Sequence, residues 1–257
     1  MSASPHPTLP DALTKLATLV RIPTVSHRDP ARNDTAAFDL FLAELTRLFP
    51  LLHAHLELTR IHTHGLLFRW PGVADTRPVV LMAHLDVVPV DGEWAHDPFG
   101  AEIVDGQIWG RGTLDDKGSL VGICEAVETL LADGFTPAQD VWLSFGCDEE
   151  VMGQAAPLAV EELRRRDVQP WFVLDEGGAV AGQAFPGVSA PIGVVGVGEK
   201  GVVSLELSVT GAGGHASTPA RRGPTARIGR AVHRLDRASM PASVSDTTVE
   251  LLRRMAP

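Results

Sequence analysis

Four short clusters of acidic and imidazole side chains give this chain its chemical character. The apolar run VVLMA ends at His84-Leu85-Asp86, VWLSFGC ends at Asp148-Glu149-Glu150, and WFVL ends at Asp175-Glu176. A fourth pair, Asp115-Asp116, sits in GRGTLDDKG, just ahead of an amphipathic stretch. Mixed imidazole and carboxylate donors suit Zn²⁺ or a neighbouring first-row cation, whereas Ca²⁺ prefers an all-oxygen shell. The spacing adds detail. On an extended segment residues two apart point the same way, so the Asp86 carboxylate can orient the His84 ring from behind. Adjacent Glu149 and Glu150 point oppositely and take different tasks, one on a metal and the other on a water. Taken singly, each cluster reads more readily as a structural or surface feature, such as a solvated turn or a helix cap, than as a ligand. Three clusters at the ends of three apolar runs are a different matter, because ligands of open α/β sheets sit at the carboxyl ends of strands.

Such a centre needs elements that end together. Leu13, Leu16, Leu19 and Val20 share a helical stripe over Asp11 to Val20. Asp34 is placed to cap a second helix, with Phe38, Phe41, Leu42, Leu45 and Phe49 at spacings of three and four and Pro50 as its stop. Leu66 to Trp70 and Val79 to Ala83 read as strands, the second apolar on both faces like a central strand. Leu120, Ile123, Cys124, Val127, Leu130 and Leu131 define a helix stopped at Asp133-Gly134. Val141 to Gly146 is a buried strand, Leu158 to Arg166 a helix and Trp171 to Leu174 a strand. Strands alternating with helices of this length predict an α/β sandwich on a largely parallel sheet.

The pattern changes after about Pro191. VVSLELSVT, Val202 to Thr210, alternates strictly and predicts a strand with one wet face. GAGGHAS is a glycine-rich turn, and Thr225 to Arg237 a helix with Ile228, Val232 and Leu235 inward. A catalytic domain over 1–195 and a smaller, incomplete α+β domain over 196–257 are therefore expected.

Composition excludes several classes. The chain has 257 residues, 44% of them hydrophobic, with 22 basic against 32 acidic residues and a net charge of −10. That balance lacks the basic face of a nucleic-acid binder. No apolar run approaches the roughly 18–20 residues of a membrane span, and the N-terminus does not read as a signal peptide. Cys124 and Cys147 lie in apolar runs, as free buried thiols do; a cytoplasmic protein is expected. GRGTLDDKG has neither P-loop nor dinucleotide glycine spacing.

The stretches MAHLDVVPV, WGRGTLDDKGSL, FGCDEEVMG, VLDEGG and TGAGGHAS resemble, in order, those of the di-zinc peptidase and amidohydrolase family. That family includes glutamate carboxypeptidase, aminoacylase, acetylornithine deacetylase, succinyl-diaminopimelate desuccinylase and carboxypeptidase S. VLDEGG followed by GEKG is most similar to the carboxypeptidase S and N-acyl-amino-acid amidase branch. The resemblance implies a three-layer catalytic domain with a ferredoxin-like lid that can dimerise. It also implies two Zn²⁺ per complete subunit, with Co²⁺ or Mn²⁺ as possible substitutes, and hydrolysis of a dipeptide or N-acyl amino acid through a metal-bridging water. By the same resemblance His84 is a ligand of the first metal, steered by Asp86. Asp115 bridges both metals and precedes a cis peptide. Glu149 is the general base, and Glu150 a ligand of the second metal. Glu176 is the remaining ligand of the first metal, with Asp175 its rival. His215 is the lid histidine that stabilises the oxyanion.

The chain departs from that pattern downstream of Glu176, where the family's longer lid, its return to the catalytic domain and the arginine that grips a substrate carboxylate have no counterpart. The family's last histidine ligand, downstream of the lid, has no counterpart after Glu176, where only His215 and His233 follow; His233 reads as a helix-face residue. A truncated fragment is one expectation, and a non-catalytic metal-binding or dimerising remnant the other. Either way the first metal should be held better than the second.

Overall fold

The computed structural model describes residues 9–182, 189–198, 201–215, 217, 221–239 and 241–255. Residues 1–8, Glu199 and Lys200 of GEKG, and Ala216 of TGAGGHAS lie outside the described residues. The chain divides into two units, Met1–Glu176 and Gly177–Pro257.

In the first unit, α1 (Leu9–Val20) is followed by α2 (Thr35–Leu48), α3 (Pro50–His55), β1 (Glu57–Ile61), β2 (Gly65–Trp70) and β3 (Val79–His84). A hairpin of β4 (Glu102–Val104) and β5 (Gln107–Trp109) leads to α4 (Lys117–Ala132), β6 (Val141–Gly146), α5 (Ala155–Arg165) and β7 (Phe172–Leu174). The Asp34 carboxylate accepts the N–H groups of Ala36 and Ala37, so α2 begins where its capping residue dictates. Pro50 does end α2, but it also opens α3: its fixed φ and missing N–H suit a first helical position. Among the described residues no helix is long and apolar enough to cross a membrane.

The sheet order is β1-β2-β6-β3-β7. It is mixed: β6–β3 and β3–β7 pair in parallel, while β1–β2 and β2–β6 are antiparallel. Side chains alternate between two cores, as a pleated strand requires. Leu66, Phe68 and Trp70 of β2, Leu143 and Phe145 of β6 and Ala83 of β3 face a core built with α1 to α4, including Leu19, Phe41, Leu45, Leu120 and Cys124. Leu67, Val80 and Trp142 face the other way and pack with Ala159 and Leu163 of α5. The result is three layers, with α4 and α5 on opposite faces. The chain goes from β3 to β6 on one side, then returns to place β7 on the other. β3 therefore stands at a switch point, where the carboxyl ends of parallel strands leave a crevice. A fully buried residue such as Phe41 contributes roughly 1.5–3 kcal/mol by leaving water.

The second unit contains a hairpin of β8 (Ala179–Ala181) and β9 (Ile192–Val194), then α6 (Pro224–Asp236) and α7 (Asp246–Met255). Two expectations are corrected here. Residues 202–210 pair with no strand among the described residues. Alternation supplies two faces, but a strand also needs a neighbour for its backbone groups. Val232 and Leu235 of α6 are exposed rather than inward, because α6 buries no residue among those described.

Candidate metal centre

Three strand ends and one loop deliver the site within the first unit. His84 is the last residue of β3 and pairs in register with Gly146, the last of β6. Beyond Gly146 the chain turns through Asp148 into a 3-10 turn over Glu149–Val151. Beyond β7 it reaches Asp175 and Glu176. The fourth contribution is the loop before α4, where the Asp115-Asp116 peptide is cis. That loop is tight. A Cβ at Gly118 would run into the Thr113 carbonyl, so only glycine fits.

His84 is 2% exposed. Its Nδ1 lies 2.9 Å from the backbone oxygen of Asp86 and 3.4 Å from Asp86 Oδ1. Its Nε2 lies 2.9 Å from Asp115 Oδ1, 3.5 Å from Glu176 Oε2 and 3.9 Å from Glu149 Oε2. Two overlapping donor sets share this imidazole: His84, Asp115 and Glu150, and His84, Glu149 and Glu176. Within each set the donor atoms lie within 4.8 Å of one another. The structure thus brings His84, Asp115, Glu149, Glu150 and Glu176 together. Asp175 spends one carboxylate oxygen locally, on the N–H of Glu176 at 3.0 Å.

Asp86 is fully buried and serves as the hub behind the ring. Its Oδ1 accepts the Glu149 N–H and its Oδ2 the Glu150 N–H, both at 3.2 Å. The Ser26 hydroxyl donates to Oδ2 at 2.7 Å. Asp116 is also fully buried and accepts the His84 N–H at 3.2 Å. Lys117 is buried too, its Nζ donating to the carbonyls of Ile22 at 2.7 Å and Leu19 at 3.1 Å. The sequence marks Asp116 only as half of the Asp115-Asp116 pair; Ser26, far from every acidic cluster, and Lys117, which reads as the start of a helix, carry no signal of their own.

The electrostatics follow from crowding. Burial pulls the His84 pKa down, but the hydrogen bond and charge of Asp86, with the charges of Glu176 and Asp116, overcome it and lift it to about 10. Burial, then Asp116, Asp115 and Glu149, raise Glu176 to about 7 against the opposing pull of His84. Burial is also the first cause raising Glu149 and Glu150, and their acidic neighbours add to it. Asp86 goes the other way. Burial would raise it, but its bonds from His84 and Ser26 hold it below the ordinary value. Burial lowers Lys117 to about 7. The cluster is an excess of carboxylates around one imidazole, with its nearest lysine turned to backbone carbonyls. Those donors fit a divalent first-row cation, which would take the place of the protons that crowding retains.

Among the described residues, the other histidines lie outside both donor sets. His215, in the second unit, accepts the Ser217 N–H on Nδ1 at 3.2 Å, with Ser217 Oγ at 2.8 Å. His233 lies on an exposed stretch of α6. His62 is exposed, with Nε2 3.6 Å from Asp148 Oδ2, whereas His64 is packed on Phe38 with ring centroids 5.1 Å apart and bonds Asp39 at 3.2 Å. Trp94 lies under Arg111, and Trp109 packs on His96, which bonds Glu102 at 2.9 Å.

Comparisons place this geometry among known proteins. The model of Peptidase family M20/M25/M40 matches residues 80–256. A probable carboxypeptidase S-like 2 of Dictyostelium discoideum is 40% identical over 194 residues, 73% of this chain and 37% of that protein. The N-fatty-acyl-amino acid synthase/hydrolase PM20D1 of Homo sapiens is 35% identical over 242 residues, 92% of this chain and 48% of that protein. Carboxypeptidase S of Saccharomyces cerevisiae is 37% identical, covering 81% of this chain and 38% of that protein. The chain spans less than half the length of these curated relatives. Among solved structures, human carnosine dipeptidase 1 aligns with a TM-score of 0.52 at 21% identity, covering 66% of this chain and 41% of that one. An M20 family metallo-carboxypeptidase of Sulfolobus solfataricus aligns at 0.53 with 23% identity, covering 66% and 37%. At these identities the solved structures establish the fold.

Proposed function

Since the chain belongs to peptidase family M20/M25/M40, we propose that it forms the metal-binding part of a hydrolase that cleaves the amide bond of a dipeptide or N-acyl amino acid. The observation that carries this reading is the pair of donor sets that share His84, one with Asp115 and Glu150 and the other with Glu149 and Glu176, each set with its donor atoms within 4.8 Å of one another. Carboxypeptidase S and N-fatty-acyl-amino acid hydrolase names among the relatives support the substrate class.

In this proposal His84, Asp115, Glu150 and Glu176 hold zinc, or cobalt or manganese in its place. Divalent metals, when bound, polarise a carbonyl and acidify water. Glu149 takes the proton of the attacking water and returns it to the leaving nitrogen. A raised pKa suits both transfers, because it brings the carboxyl closer to working pH. Asp86 orients the His84 ring and fixes the Glu149-Glu150 backbone through their N–H groups. His215 donates to the developing oxyanion. We assign 1–195 to the catalytic domain and 196–257 to part of a lid. The exposed Val232, Leu235 and Leu252 support pairing of two lids in a homodimer. The free buried thiols of Cys124 and Cys147 support a cytoplasmic, reducing setting.

One observation favours a second reading: both donor sets depend on the same imidazole. On that reading these 257 residues bind metal without turning substrate over. Hydrolysis of N-acyl amino acids and dipeptides with added Zn²⁺ or Co²⁺ separates the two. Turnover that disappears with chelator supports the hydrolase, and metal binding without turnover supports the second reading.

A further inference from the structure

We propose that Ser26 is a positioning residue of the metal centre, acting through Asp86; the inference rests on the metal-binding reading above. Ser26 lies 60 residues from Asp86 in sequence, yet its hydroxyl donates to Asp86 Oδ2 at 2.7 Å, in a site where both side chains are buried. That carboxylate has four neighbours: the Ser26 hydroxyl, the N–H groups of Glu149 and Glu150, and the Nδ1 edge of His84. Of these four contacts onto its oxygens, Ser26 supplies the shortest. It is also the one that comes from outside the donor residues, and so the one that can be altered without touching a donor.

Ser26 is itself held. Its backbone N–H donates to the Val87 carbonyl at 3.1 Å, and Val25 forms a parallel bridge with Val87. The Thr24 hydroxyl donates to the Leu85 carbonyl at 2.5 Å, and the Val87 N–H donates to the Thr24 carbonyl at 3.0 Å. Residues 24–26 therefore form a splint along residues 85–87. Just before it, the carbonyls of Leu19 and Ile22 receive the buried Lys117 ammonium from the Asp115-Asp116 loop. The splint sets the position of the Ser26 hydroxyl, and the hydroxyl sets the rotation of the Asp86 carboxylate. That rotation decides where the His84 ring and the Glu149-Glu150 backbone stand. A carboxylate missing this donor is freer to turn and holds both less firmly.

The test is Co²⁺ titration of the 257-residue chain, followed by visible absorption and by competition with a chelator. Ser26→Ala should weaken Co²⁺ binding about ten- to a hundredfold, the usual effect of losing an outer-shell partner. Ser26→Thr, which keeps a hydroxyl, should restore it. Asp86→Asn should also weaken binding, and adding Ser26→Ala to it should change little more, because Ser26 works through that carboxylate. Should Ser26→Ala not fold, Ser26→Cys replaces it, being similar in size and a weak donor. Co²⁺ affinity within about twofold of the parent chain in a folded variant, whatever its melting temperature, overturns the inference. A parent chain that binds no Co²⁺ overturns the metal centre itself, and this inference with it.

Discussion

The carboxylate of Asp148 accepts the backbone N–H of Gln154 at 2.7 Å, six residues further on, and that of Ala155 at 3.0 Å. Asp148 thus caps α5 from a distance and ties its first turn to the strand end that carries Glu149 and Glu150. The fit is close, since a Cβ at Gly153 would overlap the Asp148 carboxyl. Asp148→Ala should cost about 1–2 kcal/mol of unfolding free energy, as lost helix caps do, and Gly153→Ala should also destabilise. Urea denaturation checks both. Unchanged midpoints would mean that the cap contributes nothing.

Glu149 lies with the donors of the His84 and Glu176 set, so its assignment as base is open to a sharp test. Glu149→Gln should lower amide hydrolysis by about 10²–10⁴-fold, the range of general-base catalysis, and leave metal content unchanged. Atomic absorption on the dialysed variant decides the matter. Loss of metal would make Glu149 a ligand instead.

His84 belongs to both donor sets, whereas Glu150 and Glu176 belong to one each. Replacing His84 by Ala should abolish tight binding altogether, beyond the roughly 10–100-fold expected for an outer-shell partner. Glu150→Ala and Glu176→Ala should each leave one class of binding measurable by calorimetry. Asp175→Ala should weaken binding less than Glu176→Ala, and the reverse order would transfer the ligand role to Asp175.

Protons and metal compete for the same groups. Glu176 keeps its proton up to about pH 7, and Glu149 and Glu150 keep theirs above the ordinary range. As pH rises from the ordinary glutamate value near 4.5 toward 7, the folded metal-free chain holds more protons at these sites than the unfolded chain. Their contribution to its stability therefore falls over that window. A divalent cation replaces those protons. The melting temperature gained on adding Zn²⁺ should thus be larger at pH 8 than at pH 5.5. An equal or smaller gain at pH 8 would refute the link.

Much of the first unit is legible in the sequence, because its signals are local. The Asp34 cap and the three- and four-residue spacing of Phe38, Phe41, Leu42 and Leu45 define α2 without help from elsewhere. VVLMA is apolar on both faces because β3 has core above and below. Where a signal has two meanings, the reading stops short. Pro50 marks the end of one helix and the start of another. β1, ELTRI, has charges in place of clean alternation because much of it is exposed at the sheet edge. VVSLELSVT has the alternation without a paired strand, since pairing depends on residues elsewhere. The acidic clusters could be found because they follow strand ends. Ser26 could not, as a serine sixty residues away acquires meaning only once the chain is folded.

A last consequence follows from the way the His84 ring is seated. Its Nδ1 faces the Asp86 carbonyl at 2.9 Å, which leaves Nε2 alone to meet a cation. One nitrogen has one lone pair, and a lone pair can be given to a single ion. The two donor sets around it are thus rivals for the same electrons. In solution these 257 residues should take up one ion per chain tightly and a second only weakly, through carboxylate oxygens alone.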